Sequence, residues 1–241
     1  MRLFLRYALD ALLPRRCVVC RRAVPPNESE PICTDCWGAV VRIKEPRCPV
    51  CGSPFQSEAA LSHSPTHRCG DCHEAPPAFT QAVSAGVYEG VLADAIRQWK
   101  YRKHVVLMPI LGALLGQALD TLPPADAVLP VPLHPTRLRE REFNQSLLLA
   151  AWVSRRLARP LLPDALRRIR WTEPQITLDR GQRRKNVRGA FAVRNPNLVA
   201  GRRVILVDDV YTTGATVNEC ARVLGRAGTE AVYVLTLARM V

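Results

Sequence analysis

The sequence predicts an α/β protein, a mainly parallel sheet with helices on both faces, preceded by a small N-terminal zinc-ribbon domain with four-cysteine sites. Three observations carry this. Eight of the nine cysteines form four Cys-x-x-Cys pairs in the first third of the chain. From about Phe79 apolar strand-like runs alternate with amphipathic helical stretches, the pattern of a covered parallel sheet. A chain of 241 residues with 48% hydrophobic content has enough apolar surface for a large domain and a small one. The boundary is expected at 78/79, giving segments 1–78 and 79–241.

The chain opens with Leu3, Phe4, Tyr7, Ala8, Ala11 and Leu12 at helical spacing, which predicts an amphipathic helix docked on the fold. Arg6 and Asp10 interrupt the run and no small-residue cleavage site follows, so it is not read as a signal peptide. A cytoplasmic protein is expected. In a reducing compartment the pairs Cys17/Cys20, Cys33/Cys36, Cys48/Cys51 and Cys69/Cys72 point to metal rather than disulfides. Each such turn aims two thiolates at one centre, and two turns complete the tetrahedral sulfur shell of zinc. Four turns imply two structural zinc ions, which supply stability that a segment this small lacks. Sequential pairing leaves intervals of 12 and 17 residues; an interleaved pairing is also compatible with the spacing. His63, His67 and His73 lie nearby, but eight thiolates make them unnecessary as ligands.

In the larger segment a strand is predicted at Val83–Val87, helices at Gly90–Tyr101 and Leu107–Leu119, and a buried strand at Ala127–Val131. A helix at Asn144–Leu157, a strand at Val204–Val207, a helix at Thr216–Ala227 and a strand at Ala231–Leu237 complete the alternation. The longest uncharged run, Val105–Leu119, carries Pro109, Gly112 and Gly116 and falls short of the roughly 20 residues of a membrane span.

The stretch "VILVDDVYTTGAT" (204–216) joins a buried strand to a helix whose apolar face is Val217, Cys220, Ala221 and Leu224. Ligands of parallel sheets gather at strand carboxyl ends, where Asp208 and Asp209 are expected. Small residues let backbone amides approach an anion at the helix N-terminus, and Thr212, Thr213 and Thr216 add hydroxyls. No lysine follows Gly214-Ala215, which excludes a P-loop, and the dinucleotide G-x-G-x-x-G is absent. Two carboxylates beside a phosphate cradle suit a sugar phosphate, accepting from vicinal hydroxyls and helping to hold Mg²⁺.

That stretch resembles the phosphoribosyl pyrophosphate (PRPP) motif of type I phosphoribosyltransferases. The chain as a whole resembles the ComF/GntX family of competence-associated proteins. The likeness spans the Cys-rich front, "IRQWKYRKH" (96–104), "LPVPLHPTRLREREFNQSLLLA" (129–150), "QRRKNVRGAF" (182–191) and the motif itself. It implies a type I phosphoribosyltransferase-like sheet behind a double zinc ribbon. It further implies that Asp208 and Asp209 hold ribose hydroxyls, that Thr212, Thr213, Gly214, Ala215 and Thr216 hold the 5′-phosphate, and that Mg²⁺ accompanies PRPP. The turn after strand 127–131 would approach the pyrophosphate. Arg141, Asn144 and Gln145 become candidate ligand contacts, with Lys100, Arg183, Arg184, Lys185 and Asn186 closing over the site. Two positions depart from the pattern: Glu142 stands where the family commonly has glycine, and Thr212 where purine-salvage enzymes carry an aspartate that serves the base nitrogen. A threonine is no general base at neutral pH, which argues against salvage of hypoxanthine or guanine.

Thirty-four basic against 21 acidic residues give a net charge of +13, favouring polyanionic partners. Eight basic residues lie between Arg167 and Arg188, with Glu173 and Asp179 the acids among them. By the resemblance, the chain acts in DNA uptake or utilisation, contacts single-stranded DNA and works with proteins of the uptake machinery. Two other readings stand beside it: an active phosphoribosyltransferase with an undeclared acceptor, and a catalytically silent PRPP sensor. Cys220 is read as core, Trp99, Trp152 and Trp171 as buried anchors, and His134 as a loop residue.

Overall fold

The structure, a computed structural model, describes residues 15–25, 30–57, 64, 66–102, 104–172 and 180–241. The amphipathic stretch predicted at the N-terminus, with His63, lies outside them.

Four parallel strands form the main sheet in the order β1-β6-β5-β2: β1 Gln81–Val87, β2 Ala127–Pro130, β5 Arg203–Tyr211 and β6 Ala231–Arg239. In β5, Ile205 and Val207 face one core, and Val204 and Leu206 the other, all four essentially inaccessible. A strand buried on both faces reads as a continuous apolar run, which is why no alternation marks it in the sequence. The first face is covered by α3 (Gly90–Arg102), α4 (Met108–Leu119) and α6 (Gln145–Leu157), through Leu92, Ile96, Trp99, Leu111, Leu115, Leu149 and Val153. Against the second lies α8 (Ala215–Arg226), whose Val217, Cys220, Ala221 and Leu224 form the expected stripe. A short antiparallel pair, β3 (Leu166–Arg168) with β4 (Phe191–Val193), and helix α7 (Arg180–Val187) flank α8. All eight predicted elements of the larger segment are present, most within two residues of their expected ends.

Eight thiols gather in two groups, Cys17/Cys20/Cys33/Cys36 and Cys48/Cys51/Cys69/Cys72, with the sulfurs of each group within 4.8 Å of one another. The pairing is therefore sequential. In each group an amide of the later knuckle donates to a sulfur of the earlier one: Cys33 N to Cys17 Sγ and Cys69 N to Cys48 Sγ, both 3.4 Å. Such bonds favour thiolate, and the two four-cysteine sets fit two structural zinc ions. Two one-turn helices, α1 (Thr34–Gly38) and α2 (Gly70–Glu74), carry the later knuckles. The first group joins the core on the α3/α4 face and the second joins the core on the α8 face.

Between them the chain runs along β1, the edge strand: Val87 N donates to Val41 O (2.8 Å), Ile43 N to Ala85 O (3.1 Å) and Ala82 N to Val50 O (2.7 Å). The ribbons thus straddle and cover an edge that would otherwise expose unpaired backbone groups. At the other edge Val128 pairs with the 160–162 segment, donating to Pro160 O and accepting from Leu162 N, both 2.9 Å.

His134 ends the loop in which it was expected and borders a helix that was not predicted. It caps α5 (Pro135–Arg141), its Nδ1 accepting from Thr136 N, with Pro135 in the first turn. This helix has no apolar stripe, and only caps announce it in the sequence. Trp99 is buried and Trp152 half-buried, but Trp171 is 42% exposed, with the Arg137 guanidinium 5.6 Å from its ring centre. The Arg167–Arg188 run is partly regular structure, β3 and α7, with Arg167, Arg170, Lys185 and Arg188 facing solvent.

Glu142, the residue that departs from the family pattern, ends α5 in the left-handed region at φ 65°. Glycine adopts that conformation without the steric cost a Cβ brings, about 1 kcal/mol. Glu142→Gly is expected to raise stability by about 0.5–1 kcal/mol in urea unfolding.

Candidate functional site

Strand β5 is longer than predicted, and that difference builds the site. Its pairing with β2 stops at Val207, while its pairing with β6 continues through Asp208 to Tyr211. Asp208 and Asp209 therefore lie inside a hydrogen-bonded strand whose β2 side has opened. The N-terminus of α6 fills that opening: Ser146 Oγ donates to Asp208 Oδ1 at 2.8 Å, and the Asp209 amide donates to the same oxygen at 2.9 Å. Asp209, one residue on, meets the last turn of α3, where Lys100 Nζ lies 2.7 Å from its Oδ1; both side chains are 13% exposed.

The two carboxylates are thus electrostatically unequal. Asp209 has a cation. Asp208 has dipolar partners, and desolvation, then the Asp209 charge, pushes its pKa up to about 7 against the pull of Ser146, the Asp209 amide and Lys100. The unfolded chain releases this proton near pH 4 and the folded chain near pH 7, so stability falls as pH rises through that window. Asp208→Asn keeps an acceptor for both donors and removes the desolvated charge. We expect it to be more stable than the parent by about 2–4 kcal/mol at pH 8, converging with it near pH 4, in urea unfolding at the two pH values.

After Tyr211 the chain turns through Thr212 and Thr213 to Gly214, which caps α8 at φ 72°. Asn218 N donates to Gly214 O (2.9 Å), the first helical bond, and Ala215 N to Thr213 Oγ1 (3.4 Å). The tight approach is imposed by Tyr211, 8% exposed, whose phenol occupies the space that a Cβ at Gly214 would need. Tyr211 is itself held by Phe79, edge-on at 6.4 Å between centroids, and by the Arg239 guanidinium, 4.8 Å from the ring centre. The result is a rigid small-residue loop at a helix N-terminus, where outward-facing amides and the helix dipole favour an anion.

The other candidates fall in several places. Asn144 is a structural cap, accepting from Ser146 N (3.0 Å) and donating from Nδ2 to Val131 O (3.2 Å). Gln145 follows it, 1% exposed. Arg141 closes α5, and Arg184 lies in α7; their side chains are not described. Arg183 shares a cavity lining with Thr212–Ala215. Lys185 faces solvent, and the carbonyl of Asn186 accepts from Arg170 Nη2 (2.7 Å). Ser146 was missed. It stands in the quoted 129–150 stretch, but nothing there marks it as a partner for a residue 62 positions away. Arg168 was also missed as an individual: it packs over Phe191, and burial lowers its pKa, with the Asp208 carboxylate pulling the other way.

Among the described residues no helix is long and apolar enough to cross a membrane. Residues 8–73 match the double zinc ribbon domain family and residues 144–240 the phosphoribosyl transferase domain family. The chain is 34% identical to Competence protein F of Haemophilus influenzae over 85% of its own length and 90% of that protein. It is 35% identical to DNA utilization protein YhgH of Escherichia coli K12, over 94% of this chain and 98% of that one. Competence protein ComFC of Bacillus subtilis is 28% identical over 84% of this chain and 81% of that protein. Eight thiols set as two four-cysteine centres, a parallel sheet ending in paired carboxylates, and near-full-length identity above 30% all agree: the chain belongs to the ComF family, a double zinc ribbon joined to a phosphoribosyltransferase domain.

Proposed function

We propose that the protein binds PRPP at the carboxyl end of β5 and serves the uptake or utilisation of DNA, contacting single-stranded DNA through the basic 167–188 segment. The observation that carries the reading is the placement of two unequal carboxylates beside the Gly214-capped end of α8. In it, the ribose hydroxyls donate to Asp208 and Asp209 and the 5′-phosphate rests on amides of Thr212–Thr216. Lys100, paired with Asp209 at 2.7 Å, holds that carboxylate in place between ligands. Asp208 and Asp209 would help to hold a Mg²⁺ accompanying PRPP, which would offset part of the pyrophosphate charge. The names of the relatives supply the DNA context, and Arg167, Lys185 and Arg188, all solvent-facing, supply cations for phosphates. Thr212 offers no base for a purine acceptor, which favours binding over turnover.

Hydroxyl donors stabilise the ionised form of Asp208, so binding near pH 7 releases a proton. Calorimetry of PRPP with Mg²⁺ in buffers of different ionisation enthalpy is expected to give buffer-dependent heats, and Asp208→Asn to abolish that dependence. Absence of any heat with the parent protein would sink the reading. Binding to a single-stranded oligonucleotide is expected to weaken with salt at a slope of about 0.7 per phosphate contacted.

A further inference from the structure

We infer that the anion loop is the closed end of a longer groove built for a ribose whose 5′-phosphate is a diester: the 3′-terminal nucleotide of an oligonucleotide, its neighbour lying along α8. This rests on the proposed role of Asp208 and Asp209.

A cavity of about 800 Å³ opens beside Thr212–Ala215. Its walls are the α8 face bearing Asn218, Arg222 and Arg226 and, from the second ribbon, the apolar lip Ala75–Pro77. Neither Asp208 nor Asp209 lines it. The cavity and the carboxylates meet only at the Thr212–Ala215 loop, which follows the aspartates in the chain and lines the cavity. A loop that forms one wall of so large a cavity leaves room for a substituent on the phosphate, and the volume is within the roughly 300–1,000 Å³ of ligand clefts.

Charge points the same way. Five arginines line the cavity against two acidic side chains, Asp71 and Glu219, and two thiolates assigned to the second zinc centre, Cys51 and Cys72. Glu219 is committed to Arg222 (2.6 Å) and the Gly189 amide (2.7 Å). Arg188 and Arg226 face solvent, Arg226 about 16 Å along the helix axis from Ala215, far enough to meet a further phosphate. Arg239, 6% exposed, also lines the cavity, and its Nε has no hydrogen-bond partner among the described residues.

The test uses the full zinc-loaded chain and four probes: ribose 5-phosphate, adenosine 5′-monophosphate, the dinucleotide ApA (one phosphodiester, free 2′,3′ hydroxyls) and pApA with its extra 5′-phosphate. ApA is expected to compete with PRPP and to bind about tenfold tighter than the mononucleotide, and pApA tighter again. The substitution Arg226→Gln is expected to remove the pApA gain while ribose 5-phosphate is unchanged. A 2′-deoxy dinucleotide that binds like ApA assigns a DNA end, and one that binds more weakly an RNA end. The inference is overturned if ApA binds more weakly than the mononucleotide, fails to compete with PRPP, or loses affinity in step with ribose 5-phosphate in the arginine variant. If ribose 5-phosphate and PRPP themselves give no heat, the aspartate site is what fails.

Discussion

Replacing Gly214 by alanine is expected to abolish PRPP binding and to destabilise the protein by about 2–5 kcal/mol, two costs having the same sign. The first is conformational: a residue with a Cβ held at φ 72° loses on the order of 1–2 kcal/mol. The second is steric, because the new Cβ meets the phenol of Tyr211, which is trapped between Phe79 and Arg239 and has nowhere to retreat. Either the loop or Tyr211 must move, and both hold the amides that define the anion site. Urea unfolding and PRPP calorimetry read the two effects separately. A double-mutant cycle with Tyr211→Leu is expected to recover the steric part and leave the backbone part. An unchanged affinity in Gly214→Ala would mean that the anion is held elsewhere.

Removing zinc is expected to have a still larger effect. Metal binding contributes about 10–16 kcal/mol in finger peptides, more than the whole stability of most domains. Here the loss spreads beyond the ribbons, because the chain between the two centres pairs with β1 and because Gly52 sits so close to the backbone of Ala82 that a Cβ on it would end 2.5 Å from the Ala82 carbonyl oxygen. The Cys51 carbonyl also accepts from Arg239 Nη1 at 2.6 Å, and Arg239 supports Tyr211. Stripping the second centre therefore bares the sheet edge and loosens the phosphate loop together. A chromophoric chelator is expected to release two equivalents of zinc per chain, with new protease cuts at 40–55 and 69–79, aggregation through the exposed edge and loss of PRPP binding. Release of fewer than two equivalents, or an unchanged digest, would contradict the assignment.

The outcome at Asp208 shows where reading the sequence stops. Its neighbours in the chain identify a carboxylate after a buried strand, which is a local fact. Its pKa near 7 depends first on desolvation by the elements packed around the end of β5 and then on the Asp209 charge, with the Ser146 hydroxyl from α6 pulling the other way. Of these, only the Asp209 charge belongs to residues 204–216.

What the sequence by itself determined was everything set by local spacing. Paired thiols two residues apart can only make knuckles, a run such as Val204–Val207 can only be a strand covered on both faces, and the 217/220/221/224 stripe can only be a helix docked by one side. The short helices and strands around the site, α5, α7, β3 and β4, escaped because they lack an apolar period and depend on caps and neighbours. Tertiary structure alone decided that the cysteine pairs close sequentially, that the two centres take opposite faces of one sheet, that Lys100 reaches Asp209, and that a basic cavity lies beside the anion loop. The physical reason is common to all four: each joins groups from distant parts of the chain, and the energy that fixes them, desolvation, ion pairing and edge pairing, exists only once the intervening chain has folded.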